Sequence, residues 1–378
     1  MSKVIFGDVV RRANTKEDRH NTDKIYYVGG EHIESNEVLI ENRGLIEGST
    51  IGPMFYFGFK AGDILFVSRN PHLRKSGMVT FDGICSEKTF VLETKDESVL
   101  LQRYLAFVMQ SDHFWSYMEA HKSGSVNFFI NWSTLAKYEF ELPDIEKQKT
   151  LSDMLWAISD TKKAYRQLYS KSDSLVTSRF TELFGNPSEW NPKIELQDIC
   201  LKITDGSHNP PKGIGKSKNY MISSQNIHDN TIDYEDVRYL SDEDFQNEHK
   251  RTSIKPGDVL LTIVGAIGRS AVVKDDINIT CQRSVCVIHP DKNKVDSVFL
   301  KYMLDSISEK IISEARGAAQ KGIYLNQVKK LEVICPSFEL QTQFVTFIVQ
   351  NDKAKQEIRH AIDNLICLER SILADNFN

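Results

Sequence analysis

An internal repeat constrains the fold of this chain more than any other feature of its sequence. KAGDILF at residues 60–66 matches KPGDVLL at 255–261, and Gly257 stands 195 positions after Gly62. The same offset aligns ICSEKT at 84–89 with ITCQRS at 279–284, and an offset of 193 aligns LPDIEKQ at 142–148 with CPSFELQ at 335–341. Three matches in one order, at a nearly constant offset, indicate a duplicated architecture.

The two repeats have the same order of predicted elements. Alternating β-branched segments and Gly-Asp turns predict a strand-rich part in each. Short helices are expected next, at residues 100–119 and 298–315, and then a last strand at 138–142 or 331–334. Each last strand ends before a proline, Pro143 or Pro336. A proline disfavours helix in the residue before it, which is consistent with a boundary there.

After each proline, apolar residues recur three, four or seven positions apart, which predicts a long amphipathic helix. A helix of about 38 residues would span ~57 Å. Because so long an apolar stripe must be covered, we expect the two helices to pair as an antiparallel coiled coil. Two helices packed separately on their own domains are the alternative. Gly185 is expected to end the first helix, with Pro187 just beyond. The residues expected to pair the helices are Leu151, Leu155, Ile158, Tyr165, Leu168, Leu175, Ile348, Ile358, Ile362, Leu365 and Leu368.

Together these elements predict an α+β protein with two tandem strand-rich domains, each followed by a long α-helix. The expected segments are a first domain at 1–143, a central helix at 144–186, a second domain at 187–336 and a C-terminal helix at 337–378. A chain of 378 residues suits two domains of ordinary size plus connectors.

Composition and charge narrow the class of function. The net charge of −5 argues against a protein that coats nucleic acid without sequence preference, because such binding rests on neutralising phosphates. The negative net charge does not exclude a sequence-specific nucleic-acid-binding protein whose basic residues lie on one face. Six cysteines without a CxxC pair predict neither a zinc ribbon nor a disulfide framework. No apolar run is long enough for a membrane span and the first residues do not resemble a secretion signal, so we expect a cytoplasmic protein.

Two motifs that resemble catalytic ones lack an essential residue. HNPPK at 208–212 resembles a methyltransferase motif, but Lys212 stands where an aromatic ring would stack on an extruded base. GIGKS at 213–217 ends like a phosphate-binding loop, but Pro210 occupies the required first glycine position and has no N–H for a phosphate. The histidines show no metal-ligand spacing. We therefore expect no catalytic and no metal site, and a protein that binds.

Polar residues in matched loops are candidates for reading DNA. Arginine and asparagine can form paired hydrogen bonds with guanine and adenine edges, and such base contacts carry specificity. Two domains that share a backbone scaffold but carry different polar side chains in their loops would be suited to read different sequences. The candidates are Arg69, Asn70, His72, Arg74, Lys75, Lys88, Asn127, Asn131, Ser207, His208, Arg269, Gln282, Arg283, Lys321, Tyr324 and Asn326.

Over nearly its whole length the chain resembles the specificity subunits of type I restriction-modification enzymes. The resemblance rests on the GDIL and GDVL turns, LPDIEKQ before the central helix, LFG at its end and DGSH at 205–208. The second helix start is less regular, because Cys335 precedes its proline.

The resemblance implies a non-catalytic subunit with two target-recognition domains, each reading half of a bipartite, asymmetric site in double-stranded DNA. The paired helices would fix the gap between the half-sites and help to bind two methyltransferase subunits, and motor-nuclease subunits would join them. S-adenosylmethionine, ATP and Mg²⁺ would belong to those partners. A dimerising scaffold that reads no DNA, or a reader in a related anti-phage system, is the alternative.

Overall fold

The computed structural model describes residues 2–315 and 322–377. The chain divides into two compact units. The first unit is Met1–Leu168 together with Glu357–Asn378, and the second unit is Tyr169–Gln356. Each unit thus combines one strand-rich repeat with parts of both long helices. The four consecutive segments expected from the sequence do not describe this grouping.

In the described residues the chain forms the following strands and helices. The strands are β1 Ser2–Ile5, β2 Val10–Ala13, β3 Tyr26–Val28, β4 Leu39–Ile40, β5 Gly44–Leu45, β6 Phe55–Phe59, β7 Ile64–Val67, β8 Ser76–Val79, β9 Gly83–Ser86, β10 Thr89–Thr94, β11 Glu139–Leu142, β12 Ile194–Glu195, β13 Cys200–Asp205, β14 Asn219–Ile222, β15 Ile227–His228, β16 Thr231–Ile232, β17 Arg238–Tyr239, β18 Val259–Thr262, β19 Ser270–Val272, β20 Asn278–Cys281, β21 Val285–Pro290 and β22 Glu332–Val333. The α-helices are α1 Phe6–Val9, α2 Gln102–Val108, α3 Asp112–Ala120, α4 Trp132–Leu135, α5 Ile145–Phe184, α6 Asp242–Thr252, α7 Ser297–Ser306, α8 Ser308–Ser313, α9 Leu325–Lys329 and α10 Phe338–Asn376.

The strands of the two units share one pairing pattern, to which the first unit adds β4 and β6 at the edges of its two sheets. The first unit has sheets of order β2-β10-β7-β8-β4 and β5-β3-β9-β6, and the second has β13-β21-β18-β19 and β17-β14-β20. In each unit the first strand of the repeat pairs with the last, as β1 with β11 and β12 with β22. The pairs β3–β9 and β14–β20 are both parallel. The duplication predicted from the sequence is therefore present in the strand topology.

The Gly-Asp turns at the start of β7 and β18 have the same hydrogen bonds. Gly62 and Gly257 have φ angles of 96° and 92°, a region that glycine adopts without strain. The next residue, Asp63 or Asp258, accepts a hydrogen bond at 2.8 Å from the backbone N–H three positions earlier. The motif is therefore a turn closed by its own aspartate, which delivers a buried strand into the sheet.

A buried glutamine holds the start of each long helix to its repeat. Gln148 Oε1 accepts from Leu101 N–H at 3.0 Å, and its Nε2 donates to Val99 O and Pro143 O, both at 2.9 Å. Gln341 makes the corresponding three bonds in the second unit, to Asp296 N–H and to the carbonyls of residues 294 and 336. Both side chains are almost fully buried, so these bonds to the backbone satisfy amide groups that water does not reach.

The two long helices run antiparallel in each unit. In the first unit the salt bridge between Lys162 and Glu369 joins α5 to α10, and Leu155 of α5 shares a core with Leu373 of α10. In the second unit the Phe180 and Phe344 rings lie 5.3 Å apart, Ser172 donates to Asn351 at 2.6 Å, and Lys355 pairs with Asp173 at 2.7 Å. Helix α5 ends as predicted, since Gly185 has a φ of 74° and donates to Thr181 O. The antiparallel pairing is confirmed.

The predicted apolar stripe corresponds to the buried face of the helices only near their outer ends. Leu151, Leu155, Ile158 and Ile348 are buried, whereas Tyr165, Ile358, Ile362 and Leu365 are partly exposed. Leu168, Leu175 and Leu368 differ from the expectation, because each is about half exposed. The reason is that Lys162 and Ser172 take buried positions where the helices meet and form the polar pairs with Glu369 and Asn351.

Candidate nucleic-acid interface

Three segments of the first unit meet at the end of strand β7. Ser68 follows β7 and donates its backbone N–H to Lys88 O at 2.8 Å, in the turn between β9 and β10. Its own carbonyl accepts from Ile130 N–H at 2.8 Å. Asn70 N–H donates to Phe128 O at 2.9 Å. These backbone bonds bring residues 68–70, the turn at 87–88 and the loop at 123–129 to one place.

The 123–129 loop is closed and braced by its own backbone. Ser123 and Phe129 exchange two hydrogen bonds, at 2.9 Å and 3.0 Å. Gly124 has a φ of 97°, and a side-chain carbon there would lie 2.6 Å from Asn127 O, so the position requires glycine. Asn127 is exposed near the tip of this loop. The base of the loop is therefore fixed, and its tip projects into solvent.

Cations and aromatic rings surround the loop. The Arg69 guanidinium lies 5.6 Å from the centre of the Phe129 ring, and Lys122 Nζ lies 4.3 Å from that of Phe128. Lys88 is exposed and forms a salt bridge with Glu87. The hydrogen bond from Lys88, together with the nearby Arg69 charge, holds the pKa of the Glu87 carboxyl below its usual value. Arg69, Lys88 and Lys122 thus give this surface three positive charges, of which Lys88 is paired with Glu87 and Lys122 with Glu119.

The remaining first-unit candidates lie apart from this surface or make other contacts. Asn70 and Arg74 both have positive φ angles, at either end of a 3-10 turn that carries exposed His72. Arg74 pairs with Asp112 at 2.6 Å and lines a cavity of about 440 Å³ that faces residues of both long helices. Lys75 Nζ donates to Gly30 O at 2.6 Å. Asn131 is exposed as the N-cap residue of α4. The structure therefore brings Arg69, Asn70, Lys88 and Asn127 together, but engages Arg74 and Lys75 elsewhere.

In the second unit the DGSH segment lies against the turn that carries Gln282 and Arg283. Ser207 N–H donates to Cys281 O, and Arg283 N–H donates to Ser207 O, each at 2.9 Å. Gly206 is required by this close approach, because a side-chain carbon there would lie 2.1 Å from Cys281 O. Ser207 is buried, whereas Arg283 is exposed. The structure thus places three of the predicted second-unit residues side by side.

An ion-paired aspartate orients His208. Asp205 Oδ2 lies 2.9 Å from His208 Nε2, and the Arg251 guanidinium binds Asp205 Oδ1 and donates to its carbonyl. Burial alone would raise the pKa of Asp205, but the hydrogen bonds from His208 and Arg251 outweigh it and lower that pKa. Sequence reasoning did not find Arg251, because it lies on α6, far from the motif along the chain.

The last described candidates lie in the loop after β18 and at the start of α9, the helix that corresponds to α4. Val264 forms a bridge with Gly322, as Arg69 does with Phe129. Arg269 is exposed on the loop after β18, Tyr324 is exposed just before α9, and Asn326 is exposed within α9. Lys321 lies outside the described residues.

The described residues also give information on metal-binding groups, disulfide bonds and membrane-spanning helices. Residues 2–315 and 322–377 contain no group of three or more histidine, cysteine or acidic side chains placed to hold a metal ion. The six cysteines are free, and burial raises the pKa of the Cys85 thiol to about 12. None of the helices seen in this part of the chain has the length and apolar character of a membrane span.

Known proteins resemble both the sequence and the fold. Residues 187–367 match the family model of the type I restriction modification DNA specificity domain. A curated relative, the type I restriction enzyme EcoBI specificity subunit of Escherichia coli, is 31% identical over 203 residues. That match covers 50% of this chain and 42% of the relative, so the chain spans less than half of the curated relatives that it matches.

Two solved structures have the same fold along nearly all of the chain. One belongs to a study of complex assembly and conformational transition in a type I R-M system; it has a TM-score of 0.63 at 16% identity and covers 100% of this chain and 97% of that one. The other is the S subunit of a type I restriction-modification system from M. genitalium, with a TM-score of 0.58 at 13% identity, covering 98% and 94%. The predicted α+β architecture is confirmed. The resemblance of the chain to type I specificity subunits is confirmed by the family-model match over residues 187–367 and by the curated relative.

Proposed function

We propose that this chain reads a bipartite, asymmetric site in double-stranded DNA, with one half-site for each repeat. The observation that carries the proposal is that the two units present different side chains on one shared frame. At the end of the Gly-Asp strand the first unit carries Arg69 and Asn70, where the second has Val264 and Gly265. At the neighbouring turn, Lys88 corresponds to Arg283.

The side chains at these positions suit the reading of bases. Arginine pairs with the O6 and N7 atoms of guanine, and asparagine pairs with the N6 and N7 atoms of adenine. Backbone bonds fix the segments that carry Arg69, Asn70 and Asn127, so little ordering is needed when DNA binds. The surrounding lysines would contact phosphates and set the orientation of the duplex.

The proposal includes a division of labour within a larger complex. The paired helices α5 and α10 would hold the two readers at a set spacing and bind two methyltransferase subunits, which motor-nuclease subunits join. Leu168, Leu175 and Leu368 are about half exposed on these helices and would offer apolar contacts to such partners. S-adenosylmethionine, ATP and Mg²⁺ would bind to those partners. This chain would then direct catalysis in the cytoplasm without performing it.

Selection of DNA sequences from a random duplex pool tests the proposal. The complex of this chain with its methyltransferase would be compared with its Arg69→Ala and Arg269→Ala variants. We expect the wild type to select two short motifs with a fixed gap. Each variant should lose preference at positions in one motif only, with about 1–3 kcal/mol lost per base contact.

Two results would contradict the proposal. Arg69→Ala and Arg269→Ala could both weaken every sequence equally, which would make these arginines phosphate contacts. The assembled complex could also select no sequence at all, which would favour a scaffold that does not read DNA.

A further inference from the structure

Val126 is the most exposed large apolar side chain in the described part of the molecule. Its exposed fraction is 83%, whereas the next highest values are 70% for Leu201 and 68% for Tyr324. A single exposed apolar residue is ordinary on a protein surface. The position of Val126 is what distinguishes it, because it lies at the tip of the braced 123–129 loop and is followed directly by Asn127.

The surroundings of Val126 are suited to a nucleic acid. Arg69 and Lys122 stand over aromatic rings at the base of the same loop, and Lys88 lies on the adjoining turn. The loop therefore presents an apolar tip and an amide above a positively charged base. Double-stranded DNA offers complementary features, namely negative phosphates on either side of a groove that contains bases.

The neighbouring chemistry favours the major groove. Adenine presents its N6 and N7 atoms there, thymine presents its 5-methyl group, and guanine presents O6 and N7. Asn127, Val126 and Arg69 are an amide, an apolar group and a guanidinium, and each matches one of these features. In the minor groove an asparagine and a valine would meet only the degenerate A·T pattern and no methyl group.

We propose that Val126 packs against the 5-methyl group of a thymine in the half-site read by the first unit, beside a base that Asn127 contacts. The inference rests on the proposed function and adds to it a specificity-determining residue and the chemical group that it recognises. Because the loop is anchored by the Ser123–Phe129 and Asn70–Phe128 hydrogen bonds, the valine is already held outward. Removing water from one methyl group corresponds to about fourfold in affinity.

Replacement of thymine by deoxyuracil tests the inference, because deoxyuracil lacks only the 5-methyl group. The probe is a duplex that carries the sequence selected by the wild-type complex, with each thymine of the first-unit half-site replaced in turn. We expect one position at which the replacement weakens wild-type binding about fourfold. Val126→Ala should bind the thymine duplex more weakly and lose most of this discrimination. Val126→Thr, which keeps a methyl group, should retain part of it.

Leu201→Ala provides the matched control, since Leu201 is an exposed apolar residue of the second unit. It should leave the fourfold discrimination unchanged. Specific DNA binding without a thymine position whose effect depends on Val126 would overturn this inference and leave the proposed function intact. A wild-type complex that selects no sequence would overturn both.

Discussion

Replacing Asp63 by asparagine should stabilise the first unit, and more so as the pH rises. The carboxyl of Asp63 is 3% exposed in the turn before β7. Burial raises its pKa from 3.8 to about 6, and Glu93 adds to the effect, although the hydrogen bond from Lys60 N–H opposes it. Because the pKa is higher in the folded state, ionising the carboxyl costs more there than in the unfolded state. The folded unit therefore loses stability as the pH rises from about 3.8 to about 6, and regains it at lower pH.

The size of the effect follows from the shift. A rise from 3.8 to about 6 corresponds to about 3 kcal/mol at pH 8, as an upper value, when the carboxylate is ionised in both states. Roughly half of this cost is already present at pH 5, so the advantage of Asp63→Asn should grow by about 1.4 kcal/mol between pH 5 and pH 8. The asparagine carbonyl can still accept the Lys60 N–H, so the turn should remain closed.

Asp258→Asn is the matched control in the second unit. Asp258 closes the same kind of turn, but its Oδ1 lies 2.9 Å from His289 Nδ1, and His289 Nε2 donates to Thr252 O. Asparagine there would remove a carboxylate that has a buried partner, so we expect no gain in stability.

Urea unfolding followed by hydrogen–deuterium exchange and mass spectrometry would report β7 and β18 separately. Three proteins are compared, namely the wild type, Asp63→Asn and Asp258→Asn, each at pH 5 and pH 8. The reasoning is refuted if the advantage of Asp63→Asn is the same at both pH values. It is also refuted if Asp258→Asn stabilises β18 as much as Asp63→Asn stabilises β7.

Two further predictions concern the long helices. Gln341→Leu should destabilise the second unit by about 2–4 kcal/mol in chemical denaturation, because three backbone groups lose their hydrogen bond to a buried side chain. Gln343→Leu, on the exposed side of the same helical turn, should change little, and equal losses in both would contradict this explanation. Inserting seven residues at matched points of α5 and α10 should lengthen the gap of the DNA motif by about three base pairs and leave both half-sites unchanged. A change in the half-site sequences would contradict the spacer role.

The sequence predicted the parts of the fold that repeat. Gly62 and Gly257 mark turns that only a glycine followed by an aspartate closes in this way, and Gln148 and Gln341 make the same three buried bonds. Such residues are fixed by backbone geometry, so an alignment of the two halves of the chain exposes them.

Other features depend on contacts between residues distant in sequence, which a pattern does not contain. The apolar spacing favoured Leu168 as a buried residue, but buried Lys162 is paired with Glu369 on the other helix, and a periodicity count cannot see that partner. Arg74 was grouped with Arg69 because they are close along the chain, yet two positive φ angles turn the backbone between them. The sequence did not single out Val126, because valines are common in loops. Only its exposure in the structure distinguishes it.

Single-molecule methylation sequencing tests the central claim most directly. DNA would be taken from cells that express this chain with its methyltransferase, from cells that lack this chain, and from cells that carry Arg69→Ala. The account predicts methyladenine on a two-part motif with a fixed gap, present only with this chain and altered in one half by Arg69→Ala. A methylation pattern that is the same with and without the chain, while the complex still assembles, would contradict it.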